Sequence, residues 1–225
     1  MEVLRRSSIF AAEVMEAFDR SPTDKELVAQ SKALCRNFIH SRLNRAGIGW
    51  SRPEHGLLAS AGTLGEVSTV LLLLGDELEN LRPNVYHNVA QQLNISVSSE
   101  DVVSEAFLAV SAEMFSTGVE SVEKNSCFIG ITWGKVVSLY TVAGGLAVDC
   151  VRQGQPAMVH IIVDCLGEFI SNSLVTWIKR RGGWADINKC VENNDSSFQK
   201  NWFVRAVCTG GHFLKAFFFY LLRER

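Results

Sequence analysis

The chain has almost no imbalance of charge: twenty-two Lys and Arg stand against twenty-four Asp and Glu, a formal net of −2. Without a basic excess there is no electrostatic footprint for phosphate backbones, so no nucleic acid is expected among its partners. The six cysteines (Cys35, Cys127, Cys150, Cys165, Cys190 and Cys208) include no C-x-x-C pair and no neighbouring histidine pattern. Such spacing supports neither a zinc site nor a disulfide framework and points by default to a reducing, cytosol-facing compartment. No G-x-S-x-G, phosphate loop or zinc signature occurs, so catalysis has no candidate and neither metal nor cofactor is expected. Nothing alternates like a strand ladder. An apolar signal core is missing as well: Met1 to Arg20 sets Glu13, Glu16 and Asp19 among Ile9, Phe10, Val14 and Phe18. Acids at that density argue against a mitochondrial presequence and no apolar core supports a signal peptide, so a short amphipathic N-terminal helix is expected.

What the chain does have is 47% hydrophobic against 20% charged residues, enough to bury one full core. Its patterning is helical throughout. Ser21-Pro22-Thr23-Asp24 predicts a helix start capped by Ser21, with Pro22 at the first helical position and Asp24 at the positive dipole end. Leu27, Val28, Leu34, Cys35, Phe38 and Ile39 then form one apolar stripe, ending near Ala46-Gly47. After a loop from Ile48 to Gly62, Thr63-Leu64-Gly65-Glu66 matches a capping box. The helix it opens carries Val67, Leu71, Leu74, Leu78 and Leu81 at steps of three and four, until Pro83 stops it. A short helix at Asn84 to Leu93 (Val85, Val89, Leu93) follows. Another, capped by Ser98 and Ser99, turns Val103, Phe107, Val110 and Met114 inward and ends near Gly118.

From Thr132 to Arg152 comes a helix whose centre, Val136 to Val148, has no charge; such a helix is fully buried or meets lipid. Gly154-Gln155-Pro156 joins it to a hairpin partner with Ala157, Ile161, Cys165 and Phe169 on one face and His160, Asp164 and Glu168 on another. In a folded soluble form the pair reads as a core helix beside a half-solvated one; in lipid, the polar face suits a pore lining. His160, Asp164 and Glu168 make a poor metal or acid–base set, because two are an ordinary i,i+4 pair and no third strong ligand is placed. Trp177 to Arg181 stays helical, Gly182-Gly183 breaks it, and Trp184 to Val191 makes a last short helix.

The C-terminal stretch Trp202 to Leu222 is long enough to span about 30 Å as a helix, a bilayer core. Trp202, Phe213, Phe217, Phe218, Phe219, Leu221 and Leu222 supply its apolar weight, and Arg205 and Lys215 count against it. Two readings stay open: a marginal tail anchor, or an amphipathic helix lying in a groove or on a membrane surface.

The order Leu71-x-x-Leu74-Gly75-Asp76-x-Leu78 is where function enters, since a small residue beside an acid suits the helix-in-groove mode of recognition. Leu71 to Leu78 resembles the BH-3 motif of the Bcl-2 family of apoptosis regulators, with Val67 as an outer anchor. Ile131-Thr132-Trp133-Gly134-Lys135-Val136-Val137 is similar to BH-1, and Trp177 to Trp184, with Gly182-Gly183-Trp184, to BH-2. Lys32 to Asn44 corresponds to BH-4. The resemblance covers nearly the whole chain. Met1 to Ser8, Asp19 to Leu27 and Trp133 to Tyr140 liken it to the killing branch of that family.

The resemblance implies an all-α, Bcl-2-like bundle (Ser21 to Glu192) around a central hydrophobic hairpin, with the tail helix after it. It implies motif extents of about Val67 to Arg82 (BH-3), Gly130 to Asp149 (BH-1) and Trp177 to Val191 (BH-2). It further implies a BH-3 interaction helix of Val67, Leu71, Leu74, Gly75, Asp76 and Leu78, and a groove marked by Trp133, Gly134, Lys135, Gly183 and Trp184. Partners would be a second copy of the chain, other family members, and the mitochondrial outer and endoplasmic reticulum membranes. Permeabilisation of the mitochondrial outer membrane, cytochrome c release and caspase activation would follow. The competing reading is a groove-bearing regulator that makes no pores; a soluble helical enzyme is third. Two departures stand out. Thr132 and Lys135 replace the asparagine and arginine of survival members, which predicts weak capture of foreign BH-3 peptides. Val119 to Ile129 reads as an insertion in the loop before BH-1. Leu71, Leu74, Leu78 and Leu81 also resemble a nuclear export signal, usable only on an exposed helix.

Overall fold

The structure is a computed structural model that describes residues 22–50, 62–116 and 130–192. The expected N-terminal helix, the inserted loop and the Trp202 to Leu222 tail lie outside the described residues. Every regular element among the described residues is helical, as the patterning requires.

Helix α1, Asp24–Arg45, starts two residues later than expected. Thr23, not Ser21, is the cap: its hydroxyl accepts from the Glu26 amide while the Glu26 carboxylate accepts from the Thr23 amide at 2.8 Å. Glutamate at the third helical position completes this reciprocal pair only when the cap is Thr23, which decides between the two candidates. Helix α2, Gly62–Leu81, likewise contains Thr63 as its second residue, so Thr63 does not cap it. Pro83 then opens a separate turn, α3 (Pro83–Tyr86), and α4 (Val89–Gln92) follows. The single helix expected from Asn84 to Leu93 is broken because Asn88 adopts a left-handed conformation, φ 53°, which asparagine tolerates better than most residues. Helix α5, Glu100–Ser116, buries Val103, Phe107, Val110 and Met114 as predicted.

Helix α6, Trp133–Arg152, is capped by Thr132, whose hydroxyl accepts from the Lys135 amide at 3.2 Å. It is the axis of the bundle: from Trp133 to Cys150 only Val148 is not buried. The choice between core and lipid is therefore core in this fold. A turn at Gln153 to Ala157 leads to α7, Met158–Arg180, a single rod of Met158–Phe169, a π turn at Ile170–Leu174, and Val175–Arg180. Its exposed face carries His160, Asp164 and Glu168 as expected. Its buried stripe is displaced, however: Met158, Val159, Ile162, Val163 and Leu166 face inward with Cys165 and Phe169, while Ala157 is exposed and Ile161 half-buried. Ala157 precedes the helix and makes no side-chain cap, so the rod's phase is set by packing on α1, α5 and α6. Gly182 and Gly183, φ 89° and 97°, end the rod in a conformation other residues resist. A 3-10 turn, Trp184–Asn188, and α8, Lys189–Glu192, replace the single last helix.

Helices α6 and α7 are both long and apolar enough to cross a membrane, with mean hydropathy of 1.3 and 1.4. They are also 83% and 61% buried inside the bundle over those stretches, the pattern any core helix shows.

Candidate functional site

Helix α2 lies against α1, α6 and the Trp184–Asn188 turn, so the segments likened to BH-3, BH-4, BH-1 and BH-2 converge on one another. The inner face of α2 is sealed: Val67, Leu71, Leu74 and Leu78 are at most 3% exposed. Leu81 departs from the expected stripe at 46% exposed, because the helix ends there and Pro83 turns the chain away. Leu73, on the outer face, is exposed too. With Leu71, Leu74 and Leu78 buried, the export-signal reading has no reachable leucine ladder in this fold.

At Gly75 the side chains of α1 press directly on the backbone of α2. A Cβ placed there would lie 2.6 Å from Phe38 Cζ and 2.8 Å from Arg42 Nη2, so no larger residue fits unless those two side chains move. Phe38 in turn stacks edge-on to Tyr140 of α6 at 6.1 Å and carries the Arg42 guanidinium over its face at 4.3 Å. That arginine is 4% exposed. Its Nη1 donates to Asp76 Oδ1 at 2.5 Å, and its Nε lies 2.6 Å from Glu79 Oε1 without the alignment of a hydrogen bond. Nη2 is buried with no acceptor. Arg45, half in solvent, donates to both acids, at 2.5 Å to Asp76 and 3.3 Å to Glu79. Burial pushes the Glu79 carboxyl above the ordinary glutamate range, although Arg42, Arg45 and His87 pull it down.

Asp76 thus already has its base, supplied by α1. Sequence reasoning singled out the acid and missed Phe38, Arg42, Arg45 and Glu79 as its surroundings. One signal was available: acids at 76 and 79 and arginines at 42 and 45 share the same three-residue step, so two helices side by side bring both pairs into register.

The residues expected to mark a groove gather around a second cluster. Trp133 meets Trp177 at 5.0 Å and Trp184 at 5.8 Å, and Trp184 meets Tyr140 at 5.9 Å. Trp133 Nε1 donates to Asp186 Oδ2 at 2.8 Å, Trp184 Nε1 to the Leu27 carbonyl at 3.1 Å, and Arg181 to Asp186 at 3.1 Å. Burial pushes Asp186 up, but hydrogen bonds from Lys189, Trp133 and Arg181 outweigh it and hold the carboxyl below its usual range. Trp133, Gly134, Lys135, Gly183 and Trp184 are all buried, so they knit α1, α6 and α7 together and present no open wall. Lys135, 4% exposed, points its ammonium over the Phe115 ring at 5.8 Å. The described cysteines, Cys35, Cys150, Cys165 and Cys190, are free and buried, as a reducing compartment allows. Among the described residues no three His, Cys, Asp or Glu cluster as a metal site, His160, Asp164 and Glu168 included.

The geometry has counterparts. The sequence model for apoptosis regulator proteins of the Bcl-2 family matches residues 71–184. Bcl-2-related ovarian killer protein homolog A of Danio rerio is 69% identical over the full length of both chains. The apoptosis regulator BAX of Bos taurus is 30% identical over 72% of this chain and 76% of its own. The crystal structure of chicken BOK superposes with a TM-score of 0.63 at 63% identity, covering 76% of this chain and 99% of that one. A family model over half the chain, a full-length relative and a solved fold agree with the helices on which the motifs sit: the chain belongs to the Bcl-2 family of apoptosis regulators.

Proposed function

We propose that the chain is a pro-apoptotic effector that self-associates through α2 and a groove and permeabilises the mitochondrial outer membrane, releasing cytochrome c and activating caspases. The observation that carries this reading is α6. A bundle whose axis is an apolar helix, charge-free from Val136 to Val148 and paired with a slightly longer α7, holds two bilayer-length helices in reserve. The polar face of α7 (His160, Asp164, Glu168) would face water in such an assembly while α6 faces lipid. A relative named for killing, at 69% identity over the full length, supports the direction. Val67, Leu71, Leu74, Gly75, Asp76 and Leu78 act as the interaction helix in this reading, and Trp133, Gly134, Lys135, Gly183 and Trp184 frame its receptor. Trp202 to Leu222 anchors the chain, cytosol-facing, in the mitochondrial outer or endoplasmic reticulum membrane. No cofactor or enzymatic step is part of it.

The second reading is a groove-bearing regulator without pores. The structure of Trichoplax adhaerens trBcl-2L2 bound to trBak BH3 shares the fold, with a TM-score of 0.61 at 23% identity. The full chain added to dye-loaded liposomes of mitochondrial lipid composition separates the two. Dose-dependent release supports the effector; vesicles that stay intact, even with a peptide of residues 67–82 present, favour the regulator.

A further inference from the structure

A cleft of about 430 Å³ opens where the C-terminal ends of α1 and α6 meet the link between α3 and α4. Its volume falls within the roughly 300–1,000 Å³ that small-molecule sites occupy. Val148 lines it, and Val148 is the one residue between Trp133 and Cys150 that the bundle leaves unburied. With Ala46 beside it, the core helix therefore shows its only apolar side chain to water inside this cleft. The charged groups around it divide by what they already hold. Both acids are committed: Glu79 to Arg42 and Arg45, and Asp149 to the Ala90 amide at 2.9 Å. The bases are not all spent. Arg42, buried, keeps Nη2 without an acceptor. The Arg152 guanidinium and the His87 ring line the cleft and make no side-chain hydrogen bond or ion pair among the described residues, although both feel the charge of Asp149.

We propose that this cleft binds a small amphiphilic anion, a phosphate monoester on a short apolar chain, with its head on Arg152 and His87 and its chain against Val148 and Ala46. An arginine in the last turn of α1 and of α6 complements the carbonyl end of each helix. That accounts for the charge of Arg152 and leaves its donors unspent. What remains unpaired around the cleft is therefore donors, and a ligand that meets them must accept. Cations from three elements, Arg45 of α1, His87 of the α3–α4 link and Arg152 of α6, suit the three terminal oxygens of a phosphate better than the two of a carboxylate. A ligand touching all three elements finds them together only in the folded bundle, so it raises the unfolding temperature by mass action. The site stands whether or not the chain makes pores.

Titration calorimetry of the full chain with n-hexyl phosphate tests the site, beside inorganic phosphate, n-hexanol and n-hexylamine. Hexyl phosphate should bind saturably and about tenfold or more tighter than the other three, since each of them lacks the head, the chain or the right charge. Arg152→Gln, at an exposed position, should weaken it about tenfold, and Val148→Phe, which fills the apolar part of the cleft, should abolish it. Arg36→Gln removes the same charge from an exposed position of α1 outside the cleft and should leave binding as it is. A dissolved ester and a lipid headgroup carry the same group, and phosphatidylcholine vesicles with and without phosphatidic acid separate them. Sedimentation that needs phosphatidic acid and is lost in Arg152→Gln assigns the headgroup; hexyl phosphate binding without that difference assigns the dissolved ester. Hexylamine or inorganic phosphate binding as tightly as hexyl phosphate, or hexyl phosphate binding that survives Arg152→Gln, overturns the proposal, as does failure of both the ester and the vesicles to distinguish Arg152→Gln from the wild type.

Discussion

Lysine and arginine at position 135 would meet an incoming aspartate differently. Arginine presents a planar fork that binds a carboxylate at two points, whereas lysine presents one mobile ammonium on a flexible stem. Here the ammonium is also turned inward over Phe115, so the groove offers no ready base. Lys135→Arg should therefore tighten binding of a BH-3 peptide about tenfold, measured by titration of a labelled peptide; unchanged affinity would show that the base at this position does not limit capture. Gly75 teaches the converse lesson. Its sequence neighbours mark it as a small residue for a partner's close approach, and the structure shows that Phe38 and Arg42 of the same chain already occupy that space. Legibility at this scale stops at the side chain's partners: the acid at 76 stands out in the sequence, but a base more than thirty residues away does not.

Most of the elements were legible, and where they were not the cause is local. The stripe of α1 and the inward face of α5 follow from spacing alone. Ser21 and Thr23 both qualify as caps by type, and only the register with Glu26 separates them. Removing the threonine hydroxyl breaks both halves of the capping box, so Thr23→Ala should cost about 1 kcal/mol of stability, seen as a lower urea midpoint; Ser21→Ala should leave the midpoint in place. Asn88 interrupts α3 and α4 because one residue switches hand, which periodicity over ten residues averages away. The phase of α7 was misjudged for a different reason. With no side-chain cap at Ala157, its rotation is chosen by the three helices it packs on, and that choice is tertiary.

At the scale of the molecule, two carboxylates displaced in opposite directions shape the response to acid. Glu79 binds its proton more tightly folded than unfolded, so its contribution to stability is full below about pH 4.3, the unfolded value, and is lost as pH rises through the raised one. Asp186 is the reverse: its contribution is present above about pH 3.9 and lost as pH falls through its depressed value. Mild acidification from neutrality should thus raise Tm in the wild type relative to Glu79→Gln, a difference that thermal melts between about pH 7 and pH 4.5 would reveal; parallel curves would show that the buried acid carries no such penalty. The bundle itself was predictable because a charge-free helix with amphipathic neighbours has few ways to fold. The pairing of Arg42 and Arg45 with Asp76 and Glu79 was not, since it depends on how two of those neighbours happen to face.

One consequence follows from placing α6 at the axis. Helices α1 to α5 and α7 all pack on it, so a molecule that gave α6 to lipid would lose the one surface those helices share. In the proposed reading such a device would be a fuse and not a switch, each copy spent once.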